Sequence, residues 1–162
     1  MTAPHLIAGI DPGLDGALVL YDPSHAEPPK VYDMPTYDIT TNGKRKCQLN
    51  LYELARILDV HAPTVKSAVI EEPAAMPGQG VSSMFKFGFN CGVAQAIVAA
   101  HFIPTKLTRP SAWKKAMGLT SDKDASRKLA SQMMPQHARL WARVKDDGRA
   151  EALLLAIWGS RQ

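Results

Sequence analysis

The first apolar run, His5–Asp11, ends on a carboxylate. Pro12-Gly13 and Asp15-Gly16 punctuate the chain before a second apolar run, Ala17–Tyr21. Apolar run, tight turn, apolar run predicts two strands of a hairpin. Asp22-Pro23 and Pro28-Pro29 mark a loop, and Lys30–Met34 reads as a third strand. Tyr37 to Gln48 contains Asn42-Gly43, a strong signal for a tight hairpin turn, with Lys44, Arg45 and Lys46 at its tip. Asn50 is suited to cap a helix. Glu53 follows at its third position, and Leu51, Leu54, Ile57 and Leu58 share one face. His61-Ala-Pro63 ends that helix.

Ser67–Ile70 reads as a buried strand that terminates in Glu71. Ala74–Gly80, with Pro77, Gly78 and Gly80, predicts a loop. A long helix is expected from Ser82 or Ser83 to about Ala100, and a last strand over Phe102–Leu107. Pro110 suits the first turn of a short helix, Ser111–Met117, closed by Gly118. Ser121 is the expected cap of a helix reaching Met134, and a final helix covers Asp147–Trp158. This order predicts an α/β fold, a mixed sheet with helices on both faces, in a single domain over residues 1–162. Trp113 and Trp141 are expected in the core.

Composition changes little: 46% hydrophobic and 21% charged residues suit a folded globular chain rather than a disordered one. No apolar stretch is long enough for a membrane span, and the N-terminal residues lack the pattern of a secretory signal. Cys47 and Cys91 lack metal-ligand spacing and read as free thiols in a reducing cytoplasm. Charge adds more. Residues 1–103 carry 7 Lys/Arg against 10 Asp/Glu, whereas residues 104–149 carry 11 against 4. A basic segment joined to a mildly acidic one suits a polyanionic partner.

The candidate chemistry lies in the acids. Asp11 and Glu71 each end an apolar strand. If those strands are neighbours, both carboxylates emerge at one sheet edge, where α/β folds place their sites. Asp147 and Glu151, four residues apart, point from one face of the last helix, while Ala150, Leu153, Leu154 and Ile157 form its docking face. Four gathered carboxylates repel unless divalent cations neutralise them. Mg²⁺ prefers such hard oxygen ligands. Two ions about 4 Å apart can activate water and stabilise the leaving oxygen of a phosphodiester. Asp11-Pro-Gly13-Leu-Asp-Gly16 also resembles the first phosphate loop of actin-like ATPases. That fold needs two such domains and far more chain than 162 residues.

Gly9-Ile-Asp-Pro-Gly13, Val69-Ile-Glu-Glu-Pro73 and Gly148-Arg-Ala-Glu-Ala-Leu-Leu154 stand in order. Together they resemble the RuvC-type Holliday junction resolvases of the ribonuclease H-like superfamily, closest to the phage and small bacterial branch. The resemblance implies a cytoplasmic homodimer that nicks two opposed strands of a four-way DNA junction. It implies a carboxylate tetrad with two Mg²⁺ per site, replaceable by Mn²⁺, and neither a small-molecule substrate nor a membrane partner. Asp11 and Glu71 match the first two acids, and Glu151 stands at the last. The remaining acid normally lies at the position of Gly148, so Asp147 is the nearest substitute, with Asp146 turned about 100° away.

The family's long helix pairs with its twin, and Gly88, Gly92, Ala94 and Ala96 offer a small-residue stripe for that contact. The family's junction-probing loop falls on Ala74–Gly80, with Met76 as the candidate apolar wedge and Phe85 or Phe87 as further base contacts. Lys106, Arg109, Lys114, Lys115, Lys123 and Arg127 are candidate DNA-binding residues, and Lys114 and Lys123 approximate the family's functional lysines. Two other readings compete: a ribonuclease H-like nuclease acting on RNA–DNA hybrids or precursor ribosomal RNA, and a branched-DNA-binding module without chemistry.

Overall fold

The computed structural model describes residues 5–72, 74, 77–120, 122 and 124–162. Five strands form the main sheet in the order β3-β2-β1-β6-β7. They are β1 (Leu6–Asp11), β2 (Ala17–Tyr21), β3 (Lys30–Asp33), β6 (Val65–Glu71) and β7 (Thr105–Thr108). β1, β2 and β3 pair antiparallel, whereas β1, β6 and β7 pair parallel. The mixed sheet is as the pattern predicts. β4 (Thr36–Thr41) and β5 (Lys44–Leu49) form a separate hairpin. Its turn residues Asn42 and Gly43 both take positive φ, as a two-residue turn matched to strand twist requires.

The period-two alternation of β1 sorts its side chains between two layers. Leu6, Ala8 and Ile10 join a core built with Leu54 and Leu58 of α1 (Leu51–His61) and Ala94 and Val98 of α2 (Val81–Ala100). Ile7 and Val69 join the opposite core, with Leu153, Leu154 and Ile157 of α5 (Asp147–Gly159). Truncating Leu153 or Leu154, both fully buried, to Ala costs about 2–5 kcal/mol. Gly9 faces α5 as well. A β-carbon there would fall 1.9 Å from the Ala152 carbonyl oxygen, so α5 rests directly on β1 because this position is bare. The Asn50 carboxamide caps α1 by accepting from Glu53 N–H at 3.1 Å, as expected.

Some boundaries differ. Phe102 does not begin a strand. It takes φ 56° just after α2 and is 94% exposed, and β7 begins at Thr105. α3 spans Pro110–Ala116, with Gly118 at positive φ beyond it. α4 spans Ala125–Met133 with Asp124 at its N-cap; the expected cap Ser121 lies outside the described residues. Between α4 and α5 the chain runs through 3₁₀ turns at Pro135–Trp141 and Val144–Asp146. Among the described residues no helix is long and apolar enough to cross a membrane.

Candidate active site

Strand parity fixes two acids. Asp11 follows Ile7 and Gly9 on the α5 side of β1, and Glu71 follows Val69 on the same side of β6. The parallel register pairs Ile10 with Ile70, so Asp11 and Glu71 are the next neighbours along it, at the strand ends. α5, seated over Gly9, brings Glu151 to the same edge. Three acids far apart in the chain therefore act on one another. Burial first, then the charge of Glu151 and Asp15, push Asp11 up to about 6 against the pull of the Gly13 amide and Lys114. Burial and the neighbouring Asp11 and Glu151 push Glu71 up to about 7, opposed by Trp113 and Lys114.

Each acid has a partner. Gly13 N–H donates to Asp11 Oδ1 at 3.1 Å. Trp113 Nε1–H donates to Glu71 Oε2 at 2.7 Å. Lys114 Nζ donates to Glu151 Oε1 at 2.6 Å, and the Ser126 hydroxyl reaches the same oxygen at 3.2 Å. Among the described residues no three Asp, Glu, His or Cys side chains close on a common metal position.

The two aspartates at the start of α5 are separated clearly. Asp146 is buried and accepts from Arg143 N, Nε and Nη2 at 2.9–3.0 Å, so it caps its own turn. Asp147 is more open and pairs with Arg127 Nε at 2.6 Å rather than with the other acids. Gly148 abuts the β1–β2 turn, where a β-carbon would meet the Asp15 carbonyl oxygen at 2.3 Å. No acid fits at that position, and the backbone explains the departure from the expected tetrad.

The basic candidates divide. Arg109, at the N-cap of α3, and Lys115, in its last turn, are both exposed. Lys106 is exposed, with its ammonium 4.5 Å from the Trp158 ring centre. Lys114 turns inward to the acids. Arg127 differs from expectation: it is 13% exposed and commits its donors to Asp147, Asp124 and the Ala142 carbonyl, making it a strut between α4 and α5. Lys123 and Met76 lie outside the described residues. Phe85 is 75% exposed and Phe87 half-buried. The small-residue stripe splits: Cys91 and Ala94 pack on the sheet, while Gly88, Gly92 and Ala96 face outward beside Phe85 and Phe89. The roles of Trp113, Ser126 and Asp15 at this edge were not anticipated. Only the indole N–H, which a buried Trp must satisfy, hinted at the first.

A mixed sheet flanked by helices on both faces matches the ribonuclease H-like fold. Within it, the chain has the fold of the RuvC-type Holliday junction resolvases. The structure of Thermus thermophilus RuvC in complex with a Holliday junction substrate superposes with a TM-score of 0.63 at 17% identity, covering 96% of this chain and 92% of that one. The yeast mitochondrial Holliday junction resolvase Ydc2 gives 0.57 at 12% identity, covering 99% and 80%. In sequence, the chain is 29% identical over 98 residues to the chloroplastic Holliday junction resolvase MOC1 of Chlamydomonas reinhardtii, spanning 59% of this chain and 11% of that relative. No protein-family profile matches the chain.

Proposed function

We propose that this chain is a Mg²⁺-dependent endonuclease that resolves four-way DNA junctions by paired nicks. The observation that carries the reading is the convergence of Asp11, Glu71 and Glu151 from β1, β6 and α5 at one sheet edge, where the neighbouring Trp113 and Lys114 of α3 contact Glu71 and Glu151. Burial of like charges at a sheet edge is costly unless a cation answers it. The donors are carboxylate oxygens, which fit Mg²⁺ or Mn²⁺. Asp11, Glu71 and Glu151 would hold the ions, and Asp147, one turn before Glu151, would join them on release from Arg127. Bound there, two such ions supply an activated water and neutralise charge developing on the phosphate.

The chain's own residues do the rest. Lys114 balances Glu151 and is the nearest cation to a phosphate arriving at the acids. Arg109 and Lys115 are exposed at the two ends of α3, and Lys106 on β7 lies beside Trp158 and Gln162 at the far end of α5; such phosphate contacts fix register without reading sequence. The outward face of α2 supports a homodimer: Val81, Phe85 and Phe89 are 86%, 75% and 53% exposed beside the bare Gly88 and Gly92. The free thiols of Cys47 and Cys91 fit a reducing cytoplasm. The similarity to proteins named as Holliday junction resolvases supports the choice of substrate.

The test compares a synthetic four-way junction, a linear duplex and an RNA–DNA hybrid, each with Mg²⁺. Symmetric nicks in the junction alone are expected. Preferential cutting of the hybrid would move the chain to another ribonuclease H-like activity. Junction binding without any product would make it a non-catalytic module.

A further inference from the structure

We infer that Trp113 is a positioning residue for the carboxylate centre, its buried indole N–H holding Glu71 by one oxygen so that the other is left for the centre. The inference deepens the nuclease reading and rests on it.

Glu71 is 6% exposed, and its side chain has several rotatable bonds. A buried carboxylate that wandered among rotamers would meet the other acids in many geometries. Trp113 removes that freedom. Indole is a donor only, and when fully buried it must find an acceptor. Trp113 is 0% exposed and donates to Glu71 Oε2 at 2.7 Å, a buried bond to a carboxylate oxygen.

The ring itself cannot follow the carboxylate. It is fully buried in the α5-side core. The bond spans 42 residues of chain and ties the end of β6 to α3. The next residue of that helix, Lys114, engages Glu151. One seven-residue helix thus addresses two acids, the tryptophan by a fixed neutral donor and the lysine by a movable cation. Trp141 supplies an internal control: equally buried, it donates to Ser131 Oγ at 3.1 Å.

The experiment uses the full chain carrying Trp113→Phe, which keeps an aromatic ring and deletes the donor, beside Trp141→Phe. Mg²⁺ affinity is measured by calorimetry without DNA, and kcat and KM on a four-way junction. Trp113→Phe is expected to bind Mg²⁺ about 10-fold more weakly, the low end for loss of a group that orients a metal ligand. Its kcat falls by a similar factor with KM for DNA unchanged, and Trp141→Phe changes neither. In the wild-type chain, whose three tryptophans give three indole N–H resonances, the Trp113 signal shifts through the Mg²⁺ titration and the Trp141 signal does not.

Equal Mg²⁺ affinity and kcat in Trp113→Phe and wild type overturn the inference alone, as does an equal loss in Trp141→Phe. Should Trp113→Phe fail to fold, the wild-type titration decides, and a Trp113 resonance unmoved at saturating Mg²⁺ overturns it. A wild-type chain that takes up no Mg²⁺ overturns the nuclease reading and this inference with it.

Discussion

Gly148 lies against the carbonyl of Asp15: a β-carbon there would sit 2.3 Å from that oxygen and 2.8 Å from the α-carbon of Gly16. The contact seats the first turn of α5 on the β1–β2 turn that follows Asp11. It also leaves no room for a carboxylate at the position where RuvC-type proteins ordinarily carry one. Restoring that acid as Gly148→Asp is expected to destabilise the chain by about 1–3 kcal/mol through overpacking against backbone, with no gain in cleavage. Thermal melts and junction cleavage by the variant check this. A stable variant with raised activity would show that the turn yields.

The raised acids make stability depend on pH in a definite direction. Asp11 and Glu71 bind protons more tightly folded than unfolded, so their charged forms are disfavoured by folding. Their contribution is most favourable below the ordinary carboxylate range. It is lost as pH rises through about 6 for Asp11 and about 7 for Glu71. Asp22, Asp33 and Asp146 act oppositely: their carboxyls are held low, so their contribution is lost only below the ordinary range. In EDTA, the melting temperature is therefore expected to fall between pH 5 and pH 8. Asp11→Asn, which keeps an oxygen for the Gly13 amide, should flatten that fall, abolish cleavage and spare junction binding. Melts across pH, with a binding assay, check all three.

Lys114 is the cation that both Asp11 and Glu71 feel and that Glu151 contacts. Lys114→Met removes it while keeping much of the aliphatic stem. Without metal, the acids then repel unopposed, and a loss of about 1–3 kcal/mol is expected, as for a half-buried carboxylate that loses its hydrogen-bonded cation. Mg²⁺ should restore most of that stability but not full cleavage, because the side-chain cation that contacts Glu151 beside the arriving phosphate is gone. Paired melts in EDTA and in Mg²⁺ separate these effects.

The outward face of α2 predicts the assembly. Gly92 has open space where a β-carbon would sit, so Gly92→Arg is compatible with the folded protomer. The wild-type chain is expected to sediment as a dimer and the variant as a folded monomer. A wild-type monomer would refute the α2 contact.

Much of the site was legible before the fold was known. Asp11 and Glu71 each close an apolar run, and strand parity carried them to one face. Glu151 precedes an apolar run that reads as one docking face, although α5 is buried all round from Ala152 to Ile157 and meets Gly9 through Ala152 and Ala156. What escaped was of another kind. Trp113 reads as an apolar core residue, and only its N–H makes it part of the site. Arg127 and Lys114 read as open cations, yet their partners Asp147 and Glu151 lie 20 and 37 residues away in sequence, and only packing brings them together. Phe102 looked like strand because it is apolar and precedes Ile103. The left-handed turn that ends α2 is set by the chain's need to reverse toward β7, which residue type does not report. The 3₁₀ turns at Pro135–Trp141 have no periodicity to betray them.

The central claim is that Asp11, Glu71 and Glu151 share divalent cations. Counting bound Mn²⁺ by electron paramagnetic resonance tests it most directly, in the wild-type chain and in Asp11→Asn, Glu71→Gln and Glu151→Gln. Two ions per protomer are expected for wild type, with binding weakened in every variant. Mn²⁺ uptake that is absent in wild type, or indifferent to all three substitutions, contradicts the account.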